Sequence, residues 1–455
     1  MVWRVYGLTS GAFDLGFIVS ALAEINRVGV GAPVSWAGWD LFADHFSPLL
    51  VPLARVADTS WGAYWLVLIQ AAAFVISTFI ARRLIRETVD DQRDRKWMLT
   101  AYATAPAILF PVFFDFHASV AALPLLMLTL YGLTTKRTNL AIASSMLMAL
   151  AREDIALLAL VLSVSEARRN PRYTRFVAPA ALMCLAGWAV FTYGRMKGRG
   201  LFSLYGYLDW RNPLTSATRA VEVIWADGAL ALLIIALLIP WVLSGSFNPR
   251  LLSVLAATSL PYLLADFALM KTVTVHYYVI APPLLLTAVC QQRPVLTEQR
   301  RQWWVAGVMI GVLGGPLVTG LYGPASREVI YPTLRSIHAN QQVIQATHDA
   351  ISCLPEGATI ATTSTVTPLV AHLRRVVILP YPFESFSLLT ESGPALVPSN
   401  APTTPPEFIV SETIPLSARQ SYTRSDWNVV LWGRGSVFPS DLRGCLEGAA
   451  TWSQK

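Results

Sequence analysis

The stretch WGAYWLVLIQAAAFVISTFIA, residues 61–81, decides how this chain is read. It carries no charge, and about 20 apolar residues in a helix are enough to cross the hydrocarbon core of a bilayer. The connection that follows, ARRLIRETVDDQRDRK (81–96), holds six basic residues. Lys and Arg concentrate on the cytoplasmic side of membrane proteins, so this connection is expected inside.

Composition extends the same reading to the whole chain. The 455 residues are 54% hydrophobic and only 14% charged, with a mean hydropathy of +0.49, values typical of multi-span membrane proteins and atypical of water-soluble domains. The net charge of +7 does not point to nucleic acid, because the basic residues fall in short connections between apolar runs. Residues 1–13 lack a basic start, an apolar core and a small-residue exit, so no cleavable signal peptide is expected.

Apolar runs at 61–81, 97–114, 118–133, 138–151, 153–166, 176–194, 222–243, 251–269, 276–290 and 303–321 predict about ten spans, several of them short. The connections TTKRT, EARRNPRYTR, SGSFNPR and QQRPVLTEQRR then join 81–96 on the inside. Residues 138–165 admit one long helix or a hairpin; a single helix would bury Arg152, Glu153 and Asp154 in mid-bilayer at about 2.5–3.5 kcal/mol each, so the hairpin is preferred. Against this topology, RMKGRG places Arg195, Lys197 and Arg199 at an outer helix end.

Several polar knots punctuate the runs: Asp44 and His45 in FADHFSPLL, Asp115 and His117 in FDFH, and ARED at 151–154. With the topology above, all face the outside, as do the 195–221 loop, with its mixture of cations and aromatics, and His276. Ionisable groups at such places are functional candidates. Each also has a plain structural reading: Asp44 as a helix N-cap, Asp115 and His117 as a hydrogen-bonded turn, Arg152 to Asp154 as an ion pair within a hairpin, and Tyr277 as an interfacial anchor.

Beyond residue 322 apolar runs shorten and Pro and Thr rise. YPTLRSIHANQQVIQATHDAISCL predicts a helix; ATIATTS, RVVILPYP, EFIVSET and WNVVLWGRG predict strands, with TPLVAHLR as a helix between the first two. The expected fold class is therefore a polytopic α-helical membrane protein with a small extracytoplasmic α/β domain at the C-terminus. Residues 1–60 form an outer loop with short helices, 61–322 the transmembrane domain and 323–455 the outer domain. Cys184 and Cys290 are read as apolar fillers. Cys353 and Cys445 are a disulfide candidate if the outer domain is extracytoplasmic, with two free thiols as the alternative. Neither has a CxxC partner or a nearby histidine cluster, so metal binding at these thiols has little support; no cofactor and no metal ligand are predicted, and metal dependence stays open.

Six blocks in order, FDLG (13–16), DHFSPLLVPLARV (44–56), FDFHASVAALPLLMLTLYGL (114–133), REDIALL (152–158), HYYVIAPPLLL (276–286) and GATIATTSTVTPLVAHLRRVVILPYP (357–382), resemble the bacterial membrane family known as domain of unknown function 2079. That family is similar in layout to the C-type glycosyltransferases, which take a sugar from a polyprenyl-phosphate donor. The resemblance implies an acceptor of the cell envelope on the outer face, Asp14 as first-choice base and Asp44 as second, in the bacterial plasma membrane. His45, Asp115, His117, Arg152, Glu153, Asp154, Lys271, His276 and Tyr277 become candidate substrate-binding residues, and the partners are the lipid-linked sugar, membrane lipid and the acceptor, with no nucleic acid. The chain departs from the family pattern in having only twelve residues before Phe13, where the family has a helix. It also departs in Val19 and Ser20, where the family tends to carry an acid and a glutamine. The competing reading is a non-catalytic transporter or envelope-assembly scaffold; the absence of a visible internal repeat weighs against a transporter.

Overall fold

The computed structural model describes residues 12–34, 40–113, 115–195, 248–264 and 276–292 as continuous stretches, with short segments elsewhere, notably 359–362, 367–370, 375–378, 408–411, 422–423 and 430–433. The chain divides into two compact units, one comprising 1–41, 51–68 and 328–455, the other 42–50 and 69–327.

In the first unit, a turn of π-helix (Ala12–Gly16) leads into helix α1 (Phe17–Arg27). Neither Gly nor Pro interrupts α1, and its side chains from Phe17 to Ala23 are buried. Gly29 ends it at φ +114°, a conformation that glycine adopts without a Cβ penalty. α1 packs on the short helix Ala54–Ala57, and Arg27 and Asn26 both bind the Asp58 carboxylate, Asn26 Nδ2 at 2.9 Å. Among the described residues of the same unit are five short strands: β1 (Thr359–Thr362), β2 (Arg375–Ile378), β3 (Phe408–Ser411), β4 (Tyr422–Thr423) and β5 (Val430–Gly433). They pair in the order β2-β1-β3-β5-β4, parallel among β2, β1 and β3 and antiparallel from β3 through β5 to β4.

The second unit is helical. Helix α2 (Gly62–Thr88) runs into it, followed by α3 (Gln92–Ala103), α4 (Pro106–Phe113), α5 (Leu123–Thr134), α6 (Thr138–Ala149), α7 (Glu153–Glu166), α8 (Pro171–Arg195), α9 (Pro249–Leu264) and α10 (Ala281–Gln292). α7 lies at the centre, packed against α6, α8 and α9. α5 and α6 approach closely at their hairpin end: a Cβ on Gly132 would come within 2.8 Å of the Ala141 backbone nitrogen. Thr129 Oγ1 meets the hydroxyls of Ser144 at 2.9 Å and Ser145 at 3.1 Å, and Ser145 meets Tyr173 at 2.7 Å, a buried hydroxyl chain joining α5, α6 and α8. Such hydrogen bonds tie helices together where apolar packing alone is indifferent.

These elements correct the expected fold class. Among the described residues two helices are long and apolar enough to cross a membrane, Gly62–Thr88 and Pro171–Thr192, in place of about ten. The run at 97–114 breaks before Pro106, consistent with the extended conformation that a proline imposes on its predecessor. The run at 118–133 divides into Ala118–Ala121 and the 12-residue α5, with Pro at its first turn. Runs 138–151 and 153–166 are helices of 12 and 14 residues, and that at 276–290 reduces to a three-residue 3-10 turn and the 12-residue α10. At 1.5 Å per residue, 12 residues rise only about 18 Å. The run at 251–269 contributes the 16-residue α9, and those at 222–243 and, apart from Val305, 303–321 lie outside the described residues. The break at 150–152 is the expected hairpin. The expected α/β domain is corrected too: the strands are two to four residues long, and one four-residue helix, Thr367–Val370, is described among them. What the described residues present is a mostly helical chain.

Candidate functional site

The polar residues that converge lie where the 44–50 loop meets the turn before α7. Leu49 N donates to the Leu150 carbonyl at 2.9 Å, which docks the loop on the hairpin. Arg152, extended at φ −170° and ψ 157°, precedes α7, so Glu153 and Asp154 fall in the first helical turn. Carboxylates there complement the positive end of the helix dipole. Glu153 reaches back to the loop: Oε1 accepts from His45 Nδ1 at 2.7 Å and Oε2 from the Phe46 backbone N–H at 3.1 Å. On the far side of His45, Nε2 lies 3.7 Å from Asp44 Oδ2. Phe46 is seated against α8, where a Cβ on Gly187 would meet its ring at 2.8 Å.

Arg152 is buried between the two acids that follow it. Its Nε lies 3.6 Å from Glu153 Oε1 and 3.4 Å from Asp154 Oδ1, and its guanidinium stands 5.9 Å from the centre of the Tyr277 ring. Asp154 Oδ2 accepts a 2.6 Å bond from the Tyr262 hydroxyl, and Tyr262 packs on Tyr277 with ring centres 5.0 Å apart. The side chains of Asp44 and His45 are 24% and 23% exposed, against 6% for Arg152, so the loop pair is part-buried and the arginine is the deeper counter-ion.

With Glu153 ionised, His45 Nδ1 carries a proton, leaving Nε2 as acceptor in the neutral ring or second donor in the cation. Burial and the Arg152 charge pull the imidazole toward neutrality; the Glu153 and Asp44 carboxylates outweigh them and hold its pKa above the ordinary 6.5. Three carboxylates face one guanidinium and one imidazole, so these five side chains are net negative even with His45 charged. The arrangement can orient a hydroxyl between Asp44 and His45, accept its proton, and return a proton from Nε2.

Asp115 and His117 form a second, buried knot organised by Gln70 on α2. Gln70 Oε1 accepts from His117 N at 2.7 Å, while its Nε2 donates to the carbonyls of Pro111, Val112 and Asp115 at 3.1–3.3 Å. His117 Nδ1 donates to the Asp115 carbonyl at 2.8 Å. α4 and the short helix Ala118–Ala121, which flank this knot, pack against the 276–278 turn that carries Tyr277.

The structure thus brings together Asp44, His45, Arg152, Glu153, Asp154 and Tyr277. It places Asp115 and His117 in the adjoining buried turn, and Asp14 on the π-turn of the other unit. Lys271, Cys353, Cys445 and the 195–221 loop residues Lys197, Arg199, Tyr205, Tyr207 and Trp210 lie outside the described residues, as does the His276 side chain. The helix predicted at 331–354 also lies largely outside them. Asp44 ends the short helix Leu41–Asp44 instead of capping the next one. Cys184 and Cys290 are free and buried. Among the described residues no group of three or more His, Cys, Asp and Glu side chains is arranged to hold a metal ion. Sequence reasoning missed Gln70 and Tyr262; a Gln in mid-span was the signal for the first, and the second, a tyrosine inside the apolar run at 251–269, gave none.

No curated protein and no solved structure shows significant similarity to the chain. Residues 4–437 match the family described as predicted membrane protein (DUF2079), and with nearly its whole length in that match the chain belongs to this family of membrane proteins.

Proposed function

We propose that this membrane protein is a glycosyltransferase that moves a sugar from a polyprenyl-phosphate donor to a cell-envelope acceptor at the outer face. The observation that supports the reading is the string Asp44–His45–Glu153: a carboxylate and an imidazole side by side and part-buried, with the far ring nitrogen held by a less exposed carboxylate. In this mechanism the acceptor hydroxyl sits against Asp44 and the leaving phosphate against His45 Nε2. Its oxygen attacks the anomeric carbon, its proton passes to Asp44, and the bond from that carbon to the phosphate oxygen breaks, the electron pair leaving with the lipid phosphate. His45, charged more readily than a free imidazole, donates to a phosphate oxygen as negative charge gathers there. The net-negative cluster gives Arg152 the task of holding Glu153 and Asp154, so Lys271 and His276, which precede Tyr277 in the chain, are the remaining candidates for the donor phosphate. Asp14 is the alternative base.

The test is transfer from radiolabelled polyprenyl-phosphate sugars by membranes containing the protein. The Asp44→Asn variant is expected to insert and fold but to lose about 10²–10⁴-fold in rate, the usual contribution of a positioned base. Full activity in Asp44→Asn with loss in Asp14→Asn would move the base to Asp14. No transfer by the wild-type protein from any donor would favour the non-catalytic transporter or scaffold.

A further inference from the structure

The end of the helical unit remote from His45 carries a second constellation. Arg83 near the end of α2 and Arg137 after α5 both place their guanidinium groups over the ring of Tyr131, 5.6 and 5.1 Å from its centre. Glu87 fixes them there: its Oε1 accepts from Arg83 Nε at 3.1 Å and from the Tyr131 hydroxyl at 2.7 Å, and its Oε2 lies 3.8 Å from Arg137 Nη2. Two cations thus converge on one carboxylate, and both stay open, 62% and 49% exposed. Exposed Lys136 adds a third positive charge in the turn between α5 and α6. The nearby Asp91 carboxylate is turned to the backbone of α3, where it caps Arg93 N and Asp94 N at 2.7 and 2.9 Å.

The surface above these arginines is apolar. Ile76, Phe79 and Arg83 follow one another at i, i+3 and i+7 along a single face of α2, and Ile76 and Phe79 are 50% and 63% exposed. An apolar face ending in two preordered guanidinium groups matches a molecule with a hydrocarbon tail and an anionic phosphate head.

We propose that this face binds an anionic phospholipid, its phosphodiester on Arg83 and Arg137 and an acyl chain along Ile76 and Phe79. Aligned guanidinium groups recognise phosphate oxygens through charge-assisted hydrogen bonds, and the Glu87 clamp supplies the alignment before the lipid arrives. The proposal is independent of the glycosyltransferase reading.

Native mass spectrometry of the purified full-length protein, incubated with equal amounts of phosphatidylglycerol and phosphatidylcholine of the same acyl chains, tests it. The wild-type protein is expected to retain phosphatidylglycerol in preference. The double variant Arg83→Gln, Arg137→Gln should lose that retention by on the order of tenfold, while Arg168→Gln, Arg169→Gln, which removes two exposed charges at the same end but outside the Glu87 clamp, should keep it. Equal retention of the two lipids by the wild-type protein overturns the proposal without any variant. An equal loss in both double variants also overturns it, since that result describes a diffuse field and no site.

Discussion

His45 is the residue on which the 44–50 loop turns. Its Nδ1 bond to Glu153 and the Phe46 N–H bond to the same carboxylate hold the 44–50 loop on the hairpin. Because its pKa is raised above 6.5, its contribution to stability is complete below that pH and is lost as pH rises through the higher folded-state value. The melting temperature of the purified wild-type protein should therefore fall between about pH 6 and pH 9 by more than that of Glu153→Gln, in which the partner charge is gone; identical pH profiles would contradict the pairing. At the lower pH, Glu153→Gln should cost about 1–3 kcal/mol, the range for breaking a charged hydrogen bond in a part-buried place. The sequence made Arg152, Glu153 and Asp154 visible as charges inside an apolar context, and His45 likewise. It could not reveal that Glu153 turns to His45, because 108 residues separate them in the chain and nothing local encodes that meeting. Tyr262 stayed hidden for the same reason.

Elements carry the larger lesson about apolar sequence. Composition identifies which residues avoid water, but helix length is set by where the backbone breaks, and Pro106 and Pro124 cut long runs into short helices. α2 was legible because nothing interrupts it, though it extends seven residues past the expected end at 81, through Arg82, Arg83 and Arg86. The short strands β1, β2, β3 and β5 fall within the segments that alternation and β-branched residues marked, whereas the two-residue β4 is too brief to leave a pattern. Gln70 shows how one side chain can close an element. The last carbonyls of a helix have no intrahelical donor, and Gln70 Nε2 supplies one to Pro111 and Val112 at the end of α4. Gln70→Leu should cost roughly 2–4 kcal/mol by leaving buried groups unpaired, read as a lower melting temperature. At the α5–α6 approach, Gly132→Ala should cost about 1–3 kcal/mol, since its Cβ would press on backbone that cannot rotate away.

At the scale of the whole molecule, α2 has the anchors of a spanning helix. Trp61 and Trp65 at its start are 64% and 51% exposed, as interfacial aromatic residues are, and Arg82, Arg83 and Arg86 stand exposed at its end. From Trp65 to Arg82 the rise is about 26 Å, close to the bilayer core. Lys136 and Arg168 share the arginine end, tied to it through the Glu87–Tyr131 and Asn170–Thr138 bonds. A membrane-impermeant maleimide should label cysteines introduced at Lys136 and Arg168 from one side and a cysteine at Ser60 from the other. Labelling of all three from the same side would remove α2 as a span.

The hydroxyl chain from Thr129 through Ser144 and Ser145 to Tyr173 constrains motion as well as stability. Advancing α6 by a single residue would swing its side chains by about 100° and strip both serines of their interhelical partners at once. α5, α6 and α8 are in that sense keyed together. Sliding α6 past α5 or α8 has to break these bonds, a cost the three helices avoid by moving together.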